Sequence, residues 1–309
     1  FERVMNLYVI ICSVNRPEVL NDTVKGILKQ TKLPESILIS VACEADVLKD
    51  TRDLANVDVR IAPVRGSSAQ RNYGVDCLKP NDNDLVVFLD DDVELSPNYL
   101  ETMVKLFQRH PQTIGLSAET LISGRMVSRE KAQECLHNFQ PLPVEQLTIR
   151  SNGKHWTCHG CNMLFRAQLL KKERFDENLP LYSYAEDYDF SIRAARHGQV
   201  GRVAGVGFVH LSHSSGRVSE MRRGYSMVAN NFYFLTKKVT HLPLFKAHIR
   251  FWLIIVCKET WISFCRALSG RHADEIDYSG RVRGRLMAVG DLIIGRCSPN
   301  EILNGKRFR

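Results

Sequence analysis

The sequence predicts an α/β fold in which a mostly parallel sheet is flanked by helices and followed by a helical C-terminal extension. Strand signals alternate with helix signals through the first half of the chain, which is typical of a parallel sheet covered on both faces. From Glu220 onward the apolar residues recur at helical spacing. We therefore expect two domains, over residues 1–216 and residues 217–309.

Short apolar runs predict the strands of the sheet, at residues 7–11, 36–42, 57–62, 84–90 and 113–119. Pro17 opens the first helix, because proline favours a first turn and apolar residues follow at helical spacing. A serine N-cap opens a second helix over residues 67–78. Ser96 and Pro97 are expected to open a third.

The second half of the chain is less regular. Residues 123–156 have no clear periodicity, so we predict an insertion or a flexible acceptor-side loop there. Order returns with residues 162–170 and with a helix over residues 186–198, in which Phe190, Ile192, Ala194 and Ala195 are expected to face inward. The predicted C-terminal helices span residues 220–240, 243–268 and 280–294.

Composition and charge are those of an ordinary globular protein. The chain has 309 residues, 44% of them hydrophobic and 25% charged, which excludes a disordered or low-complexity protein. The formal charge is +8, and residues 241–309 hold twelve Lys/Arg against six Asp/Glu. A basic end suits an anionic membrane, a phosphorylated substrate or nucleic acid, and solvation alone explains it equally well. No nucleic-acid-binding motif occurs, so we expect no such partner.

Cysteine usage indicates a reducing compartment. Nine cysteines form no regular framework and no apolar signal stretch opens the chain, so we expect a cytoplasmic protein, peripheral at most at the inner face of the cell membrane. The longest apolar run near the C-terminus, residues 251–257, is far shorter than the roughly 20 residues that a membrane span needs. Because the sequence begins with Phe1 rather than Met, its natural ends are undefined.

Two acidic clusters are the candidates for chemistry. Asp90, Asp91 and Asp92 follow a predicted strand at the edge where α/β sheets bind ligands, and hard carboxylate oxygens suit a divalent cation. Capping of the next helix is the alternative. Glu186, Asp187 and Asp189 begin a predicted helix, whose dipole stabilises ionised carboxylates, and they are otherwise ordinary helix-start acids. His210 and His213 offer an imidazole ligand, or are simply packed residues.

The order of several motifs resembles the family 2 glycosyltransferases, which have the GT-A fold and use nucleotide-sugar donors. The resembling segments are VIICSVNRP, RGSSAQRNYG, FLDDDVELSPNYL, GCNMLFRAQLL and YAEDYDFSIRAARHG. The resemblance covers about residues 7–240. The terminal GRVRGRLMAVGDLIIGRCSPNEIL is similar to tails of bacterial polysaccharide-building members. The resemblance implies an inverting, metal-dependent hexosyl- or deoxyhexosyltransferase that acts on a glycan or lipid-linked saccharide.

The resemblance also implies a role for each matching position. Mg²⁺ or Mn²⁺ would bind Asp92 with His210 or His213, and Asp187, or else Glu186, would be the catalytic base. The donor, a UDP- or dTDP-sugar in preference, would be bound by Ser13, Asn15, Arg16, Glu44, Arg71, Asp90 and Asp91. The acceptor side would contain Gly160, Asn162 and Met163.

Two segments depart from the family pattern. After the second strand an acidic pair is usual, but this chain has VACEAD, so Glu44 is the nearest substitute and Asp46 a weaker one. Cys158 and Cys161 stand where small residues are more common. Because a lone Cys-x-x-Cys lacks a second ligand pair, we expect buried small side chains rather than a zinc site.

The C-terminal helices combine aromatic and basic residues, which suits an anionic membrane surface, the catalytic body or a second subunit of a homodimer. The residues concerned are Arg250, Phe251, Trp252, Leu253, Lys258, Trp261, Phe264, Arg266 and Arg271.

Two other functions fit parts of the pattern. A non-catalytic nucleotide- or glycan-binding module would keep the fold, but the intact acidic clusters argue against lost chemistry. A sugar-phosphate nucleotidyltransferase usually opens with a Gly-rich loop and a Lys, and SVNRPEVL has neither.

Overall fold

The computed structural model describes residues 5–122, 126–151, 157–213, 215–216, 218–237, 257–258, 260–269 and 276–308. The chain divides into two compact units. The first comprises residues 1–65, 69–175 and 190–216, and the second comprises residues 66–68, 176–189 and 217–309.

All described strands belong to the first unit, and the predicted strands are confirmed to within two residues at each end. They are β1 Leu7–Ser13, β2 Ser36–Val41, β3 Val57–Ile61, β4 Leu85–Asp90, β5 Val93–Leu95, β6 Thr113–Ala118, β7 Ile149–Arg150, β8 Asn162–Arg166, β9 Gln199–Val203 and β10 Phe208–His210. The helices are α1 Pro17–Ile27, α2 Lys49–Arg52, α3 Ser67–Cys77, α4 Tyr99–Arg109, α5 Arg129–Asn138, α6 Ala167–Leu170, α7 Glu186–Ala194, α8 Glu220–Thr236, α9 Thr260–Ser269 and α10 Tyr278–Ile293.

The large sheet has the strand order β3-β2-β1-β4-β8-β6-β9-β7 among the described residues. β1 pairs in parallel with β2 on one side and with β4 on the other, so successive connections leave it in opposite directions. In open α/β sheets a ligand crevice forms outside the carboxyl ends of the strands at such a switch point. The residues that follow β1 and β4 are therefore the first place to seek a site.

The sheet separates two apolar layers, because side chains of a strand alternate between its faces. Leu7, Val9 and Ile11 of β1 enter one layer, which α1 and α4 cover. Ile10 enters the other, together with Phe88, Phe165, Phe175 and Phe190. Helices on both faces bury the central strands β1, β2 and β4 and leave the strand ends as the accessible polar edge.

Three local predictions need correction. Helix α4 begins at Tyr99 rather than at Ser96, because the Ser96 N–H donates to the Gly207 carbonyl at 2.9 Å and extends the β5–β10 ladder. Residues 126–151, the described part of the predicted insertion or flexible acceptor-side loop, contain the regular elements α5 and β7. Ala195, which was expected to face inward, is exposed, because α7 ends at Ala194.

The second unit contains the C-terminal helices. α8 and α10 cross so closely that a Cβ on Gly284 would lie 1.9 Å from the Met221 carbonyl oxygen, so only glycine fits there. Tyr225, Val228 and Ala288 form the core between them. The helix expected over residues 243–268 is confirmed for α9; Arg250, Phe251, Trp252, Leu253 and Arg271 lie outside the described residues. In the described part of the chain, we find no helix with the length and apolar character of a membrane span.

Candidate functional site

The loop after β1 brings Asn15 and Arg16 to the carboxyl edge of the sheet. Asn15 has a φ of 58°, a left-handed conformation that asparagine tolerates better than most residues. Its backbone N–H donates to Asp46 at 2.7 Å. Arg16 precedes Pro17 at the start of α1, and the proline fixes the entry of the chain into the helix. The short turn therefore aims Arg16 back toward the strand ends.

The acid triplet ends β4 in the middle of this edge. Ser13 donates its hydroxyl to the Asp91 Oδ2 at 2.5 Å. Arg16 Nη1 lies 3.1 Å from Asp91 Oδ1 and 3.2 Å from Asp92 Oδ2. The Asp91 and Asp92 side chains are each only 2% exposed, whereas Asp90 is half-exposed. One guanidinium thus offsets the charge of two buried carboxylates.

The two buried acids differ in how firmly they hold a negative charge. Burial raises the pKa of Asp91 to about 7, although the Arg16 charge opposes the rise. Burial would also raise the pKa of Asp92. Three neighbours outweigh that effect and lower the Asp92 pKa. His210 acts through its hydrogen bond and charge, Arg16 through its charge, and His213 through its backbone amide. Asp92 is therefore the better anionic ligand of the pair.

His210 reaches the triplet through a strand pairing that the sequence did not predict. β10 pairs antiparallel with β5, and His210 lies opposite Val93. His210 Nε2 is 3.0 Å from Asp92 Oδ1 and 3.7 Å from Asp90 Oδ2. The ladder joins segments more than 100 residues apart and places an imidazole beside two carboxylates.

His213 contacts the same acid differently. Its backbone N–H donates to Asp92 Oδ2 at 2.8 Å, while its side-chain Nδ1 lies 2.9 Å from the Ser215 hydroxyl. Ser212, between the two histidines, has a φ of 57°, which turns the chain so that both residues face Asp92. His213 thus contributes an amide to this carboxylate and directs its ring to Ser215.

Asp90, Asp92 and His210 can hold a divalent cation. One donor atom from each lies within 4.8 Å of the others, and no other such group of acids, histidines and cysteines occurs in the described residues. Two carboxylate oxygens and one imidazole nitrogen fit Mn²⁺, and the carboxylates also suit Mg²⁺. The group fits the expected cofactor.

Arg71 of α3 connects the triplet to the acceptor-side segment. Its Nη2 lies 3.5 Å from Asp90 Oδ1 and donates to the Gly160 carbonyl at 3.1 Å. Its guanidinium also covers the Phe175 ring, 5.4 Å from the centroid. The buried arginine therefore holds the strand end and the loop before β8 in one arrangement.

Asn162 and Met163 lie inside the core. The Asn162 amide bridges two strands: its oxygen accepts from the Ala118 N–H at 2.7 Å and its nitrogen donates to the Ala118 carbonyl at 3.2 Å. Both side chains are fully buried. From the core side they support the segment that contains Gly160. Gly160 itself is half-buried.

Replacing Asn162 with leucine is expected to lower the free energy of unfolding by roughly 2 kcal/mol, because it leaves a buried backbone N–H and carbonyl unpaired. Chemical denaturation measures the change. Met163→Leu is the control, since this volume-conserving change at the next buried position should cost less than about 1.5 kcal/mol. Equal losses in the two variants would contradict the bridging role of the amide.

The two acids after β2 occupy different environments. Glu44 is exposed and pairs with Arg52. Asp46 is buried, and its carboxylate accepts the backbone N–H groups of Asn15, Ala42 and Cys43 at 2.7 to 3.0 Å. Asp46 therefore fixes the two loops at the strand ends, and Glu44 is the one of the pair with a side chain accessible to a ligand.

The cysteines of the acceptor-side segment, Cys158 and Cys161, form no disulfide. Cys158 is buried, as predicted, and its N–H donates to the Ser191 hydroxyl at 2.9 Å. Cys161 is only partly buried, because it lies at the accessible end of β8.

The second acidic cluster begins α7 in the second unit. Glu186 is buried and Asp187 is half-buried, and the Asp187 Oδ1 accepts the Tyr188 N–H at 2.8 Å. Three residues just before the helix, Leu181, Ser183 and Ala185, have φ values of 57°, 50° and 66°. Non-glycine residues rarely adopt this conformation, and it persists where the surroundings enforce it, often at functional sites.

Hydrogen bonds within the second unit hold the residues before α7 in this left-handed conformation. The Ser67 N–H donates to the Leu181 carbonyl at 2.9 Å, and Asn230 Nδ2 donates to the Tyr184 carbonyl at 2.9 Å. The Ser183 hydroxyl donates to the Leu179 carbonyl at 2.5 Å. The first turn of α7 is therefore held in one orientation.

Lys237 forms an ion pair with Asp189, the third acid of this cluster. Its Nζ lies 3.2 Å from each Asp189 carboxylate oxygen and also pairs with Asp176. Asp189 is 2% exposed, so the lysine compensates a buried charge. No sequence pattern pointed to Lys237, since a lysine near a helix end is common.

Comparison with known proteins identifies the family of the chain. A family model described as glycosyltransferase like family 2 matches residues 5–223, which is more than half of the chain. The chain belongs to this family. A curated relative, the glucosyl-dolichyl phosphate glucuronosyltransferase of Haloferax volcanii, is 28% identical over 121 residues. That match covers 36% of this chain and 37% of the relative, so the chain spans little more than a third of its length.

Solved structures confirm the predicted GT-A fold of this family 2 protein. The mannosyltransferase PcManGT from Pyrobaculum calidifontis, in complex with GDP-Man and Mn²⁺, has a TM-score of 0.55 at 15% identity, covering 94% of this chain and 81% of that chain. S. aureus TarS 1–349, in complex with UDP-GlcNAc, has a TM-score of 0.53 at 16% identity, covering 86% and 76%. At these identities the likeness shows the fold alone.

Proposed function

We propose that the protein transfers a sugar from a nucleoside-diphosphate sugar to an acceptor hydroxyl, with inversion at the anomeric carbon. The observation that carries the proposal is the group Asp90, Asp92 and His210 at the switch point of the sheet. Family membership and two structural neighbours solved in complex with GDP-Man and UDP-GlcNAc give it support.

Each donor-side residue has a task in this proposal. Asp90, Asp92 and His210 would hold Mn²⁺ or Mg²⁺, and Asp91, with Ser13 beside it, would face the nucleoside. Glu44 and Asn15 would contact the base, and Arg16 and Arg71 the diphosphate. A bound cation would stabilise the negative charge that develops on the leaving diphosphate. Because imidazole is a poor ligand for Mg²⁺, Mn²⁺ is the preferred ion.

Asp187 is the proposed general base, and Glu186 is the second candidate. An acceptor hydroxyl must lose its proton as it attacks the anomeric carbon, and a carboxylate in the first turn of a helix is well stabilised as an anion. The hydrogen bonds that fix the backbone before α7 support this choice, since a general base must be held in a defined position relative to its substrate. Direct displacement by the hydroxyl requires no covalent intermediate and inverts the anomeric configuration.

The acceptor proposal is a glycan or lipid-linked saccharide of a bacterial surface polysaccharide, and it rests on the sequence resemblance. Residues 1–216 would bind the donor and the acceptor, and Gly160 would lie on the acceptor side. Residues 217–309 would form the accessory helical part.

A thermal-shift panel of UDP-, dTDP- and GDP-sugars tests donor binding. One donor at about 100 times its Kd should stabilise the fold by about 2.7 kcal/mol in Mn²⁺, or roughly 5 °C. EDTA should remove most of that shift. A shift that is equal in Mn²⁺ and EDTA would contradict the metal-dependent site, and binding without any turnover of donor would indicate a non-catalytic module.

A further inference from the structure

Helix α9 exposes its apolar side. Trp261 is 66% exposed, Phe264 44% and Leu268 72%, and the spacing of three and four residues places them on one stripe. Cys265 lies on the same stripe and is also exposed. A surface helix normally buries its apolar stripe, so this helix presents that stripe to another apolar phase.

Polar residues of α9 contact the neighbouring helix α10. Ser263 is the buried residue, at 3% exposure, and its hydroxyl accepts from Arg285 Nη1 of α10 at 3.1 Å. Arg266 donates to the Tyr278 hydroxyl at 2.9 Å and stacks on that ring. Polar contacts therefore attach α9 to α10 and leave its aromatic residues outward.

Helix α10 has a second exposed stripe. Leu286 is 59% exposed and Ile293 is 82% exposed, seven residues apart on one face. Arg283 lies on the same face and is also exposed. Both of these packed helices therefore expose apolar side chains.

Most of the exposed charged side chains in this part of the chain are basic. Within residues 257–258, 260–268 and 276–296, the exposed charged side chains are Lys258, Arg266, Arg283, Arg296 and the single acid Asp277. Aromatic and aliphatic side chains beside lysine and arginine are the composition of helices that lie in the interface of an anionic bilayer.

We propose that the α9 stripe, Trp261, Phe264 and Leu268, docks on an anionic lipid surface, with α10 contributing its stripe. A second copy of the chain fits less well, because a symmetric dimer would place this basic surface against itself. In the bilayer the aromatic rings enter the interface while the basic groups contact phosphate headgroups.

Co-flotation of the full chain with vesicles tests the proposal. Vesicles of phosphatidylcholine with about 30% phosphatidylglycerol should carry the protein, and pure phosphatidylcholine should carry much less. The triple variant Trp261→Ser, Phe264→Ser, Leu268→Ser should bind anionic vesicles at least about tenfold more weakly. Its melting temperature should stay near that of the wild type, because all three side chains are exposed.

Leu33→Ser, Val64→Ser, Leu142→Ser is the matched control, since it removes three apolar side chains of similar exposure from the first unit. It should float like the wild type. Absence of flotation with anionic vesicles, or an equal loss in the control, would overturn the proposal. So would a dimer in light scattering that only the α9 variant dissociates. Donor binding in the thermal-shift assay should be unchanged in both variants, which separates this test from that of the transferase proposal.

Discussion

Asp92→Asn is expected to reduce sugar transfer by about 10³-fold and to abolish tight binding of Mn²⁺. A cation contributes several kcal/mol of transition-state stabilisation, and each 1.36 kcal/mol is a factor of ten in rate. The substituted asparagine would keep the shape of the side chain and could still accept the His213 N–H, but it lacks the negative charge. Steady-state transfer and calorimetry with Mn²⁺ measure the two effects.

Asp58→Asn is the control for this change. Asp58 is a partly exposed acid that pairs with Arg60 on β3, away from the carboxyl-edge residues of β1 and β4. The variant should retain full activity and Mn²⁺ affinity. If Asp92→Asn kept transfer within tenfold of the wild type and bound Mn²⁺ equally well, the proposed metal site would be wrong.

Asp187→Asn is expected to lower the transfer rate by about 10² to 10⁴-fold, the range that a general base contributes. The substitution removes the basic oxygen but retains the hydrogen-bond acceptor for Tyr188. Donor binding in Mn²⁺ should persist, because the base acts on the acceptor hydroxyl. Rate and thermal shift measured on the same preparation separate lost chemistry from lost binding.

Glu186→Gln decides between the two acids at the start of α7. Glu186 is buried, whereas Asp187 is half-buried and so better able to meet a substrate. We expect Glu186→Gln to lose less than about tenfold of the rate, in contrast to the 10² to 10⁴-fold expected for a base. The reverse order of the two losses would reassign the base to Glu186.

Much of the donor-side arrangement was predictable because local patterns and one rule of sheet topology suffice. The strand that ends at Asp90 and the strand that ends at Ser13 are both clear apolar runs. Neighbouring parallel strands end at the same edge, so the polar residues that follow them meet without any further information. The proximity of Arg16 to Asp91 and Asp92 follows from that rule.

The remaining contacts depend on tertiary structure. β5 and β10 have three residues each, too few for a periodic signal, and their pairing alone brings His210 to Asp92. Helix α5 buries only Ala132 fully, and its apolar stripe is one turn long, with Cys135 and Leu136 partly buried, so the periodic signal is too short to detect. The buried hydrogen bonds of Asn162 and the pairing of Lys237 with Asp189 involve partners distant in sequence.

The pairing of β10 with β5 would also set the order in which the proposed cation site becomes complete. His210 contacts Asp92 across 118 positions of the chain. A nascent polypeptide that has emerged only through β9 possesses both aspartates but not the imidazole. Contacts between such distant segments form slowly, since the intervening loop must first close. Under the proposed function, full affinity for the ion would therefore arise only once β10 has joined the GT-A body, and it would report that step during synthesis.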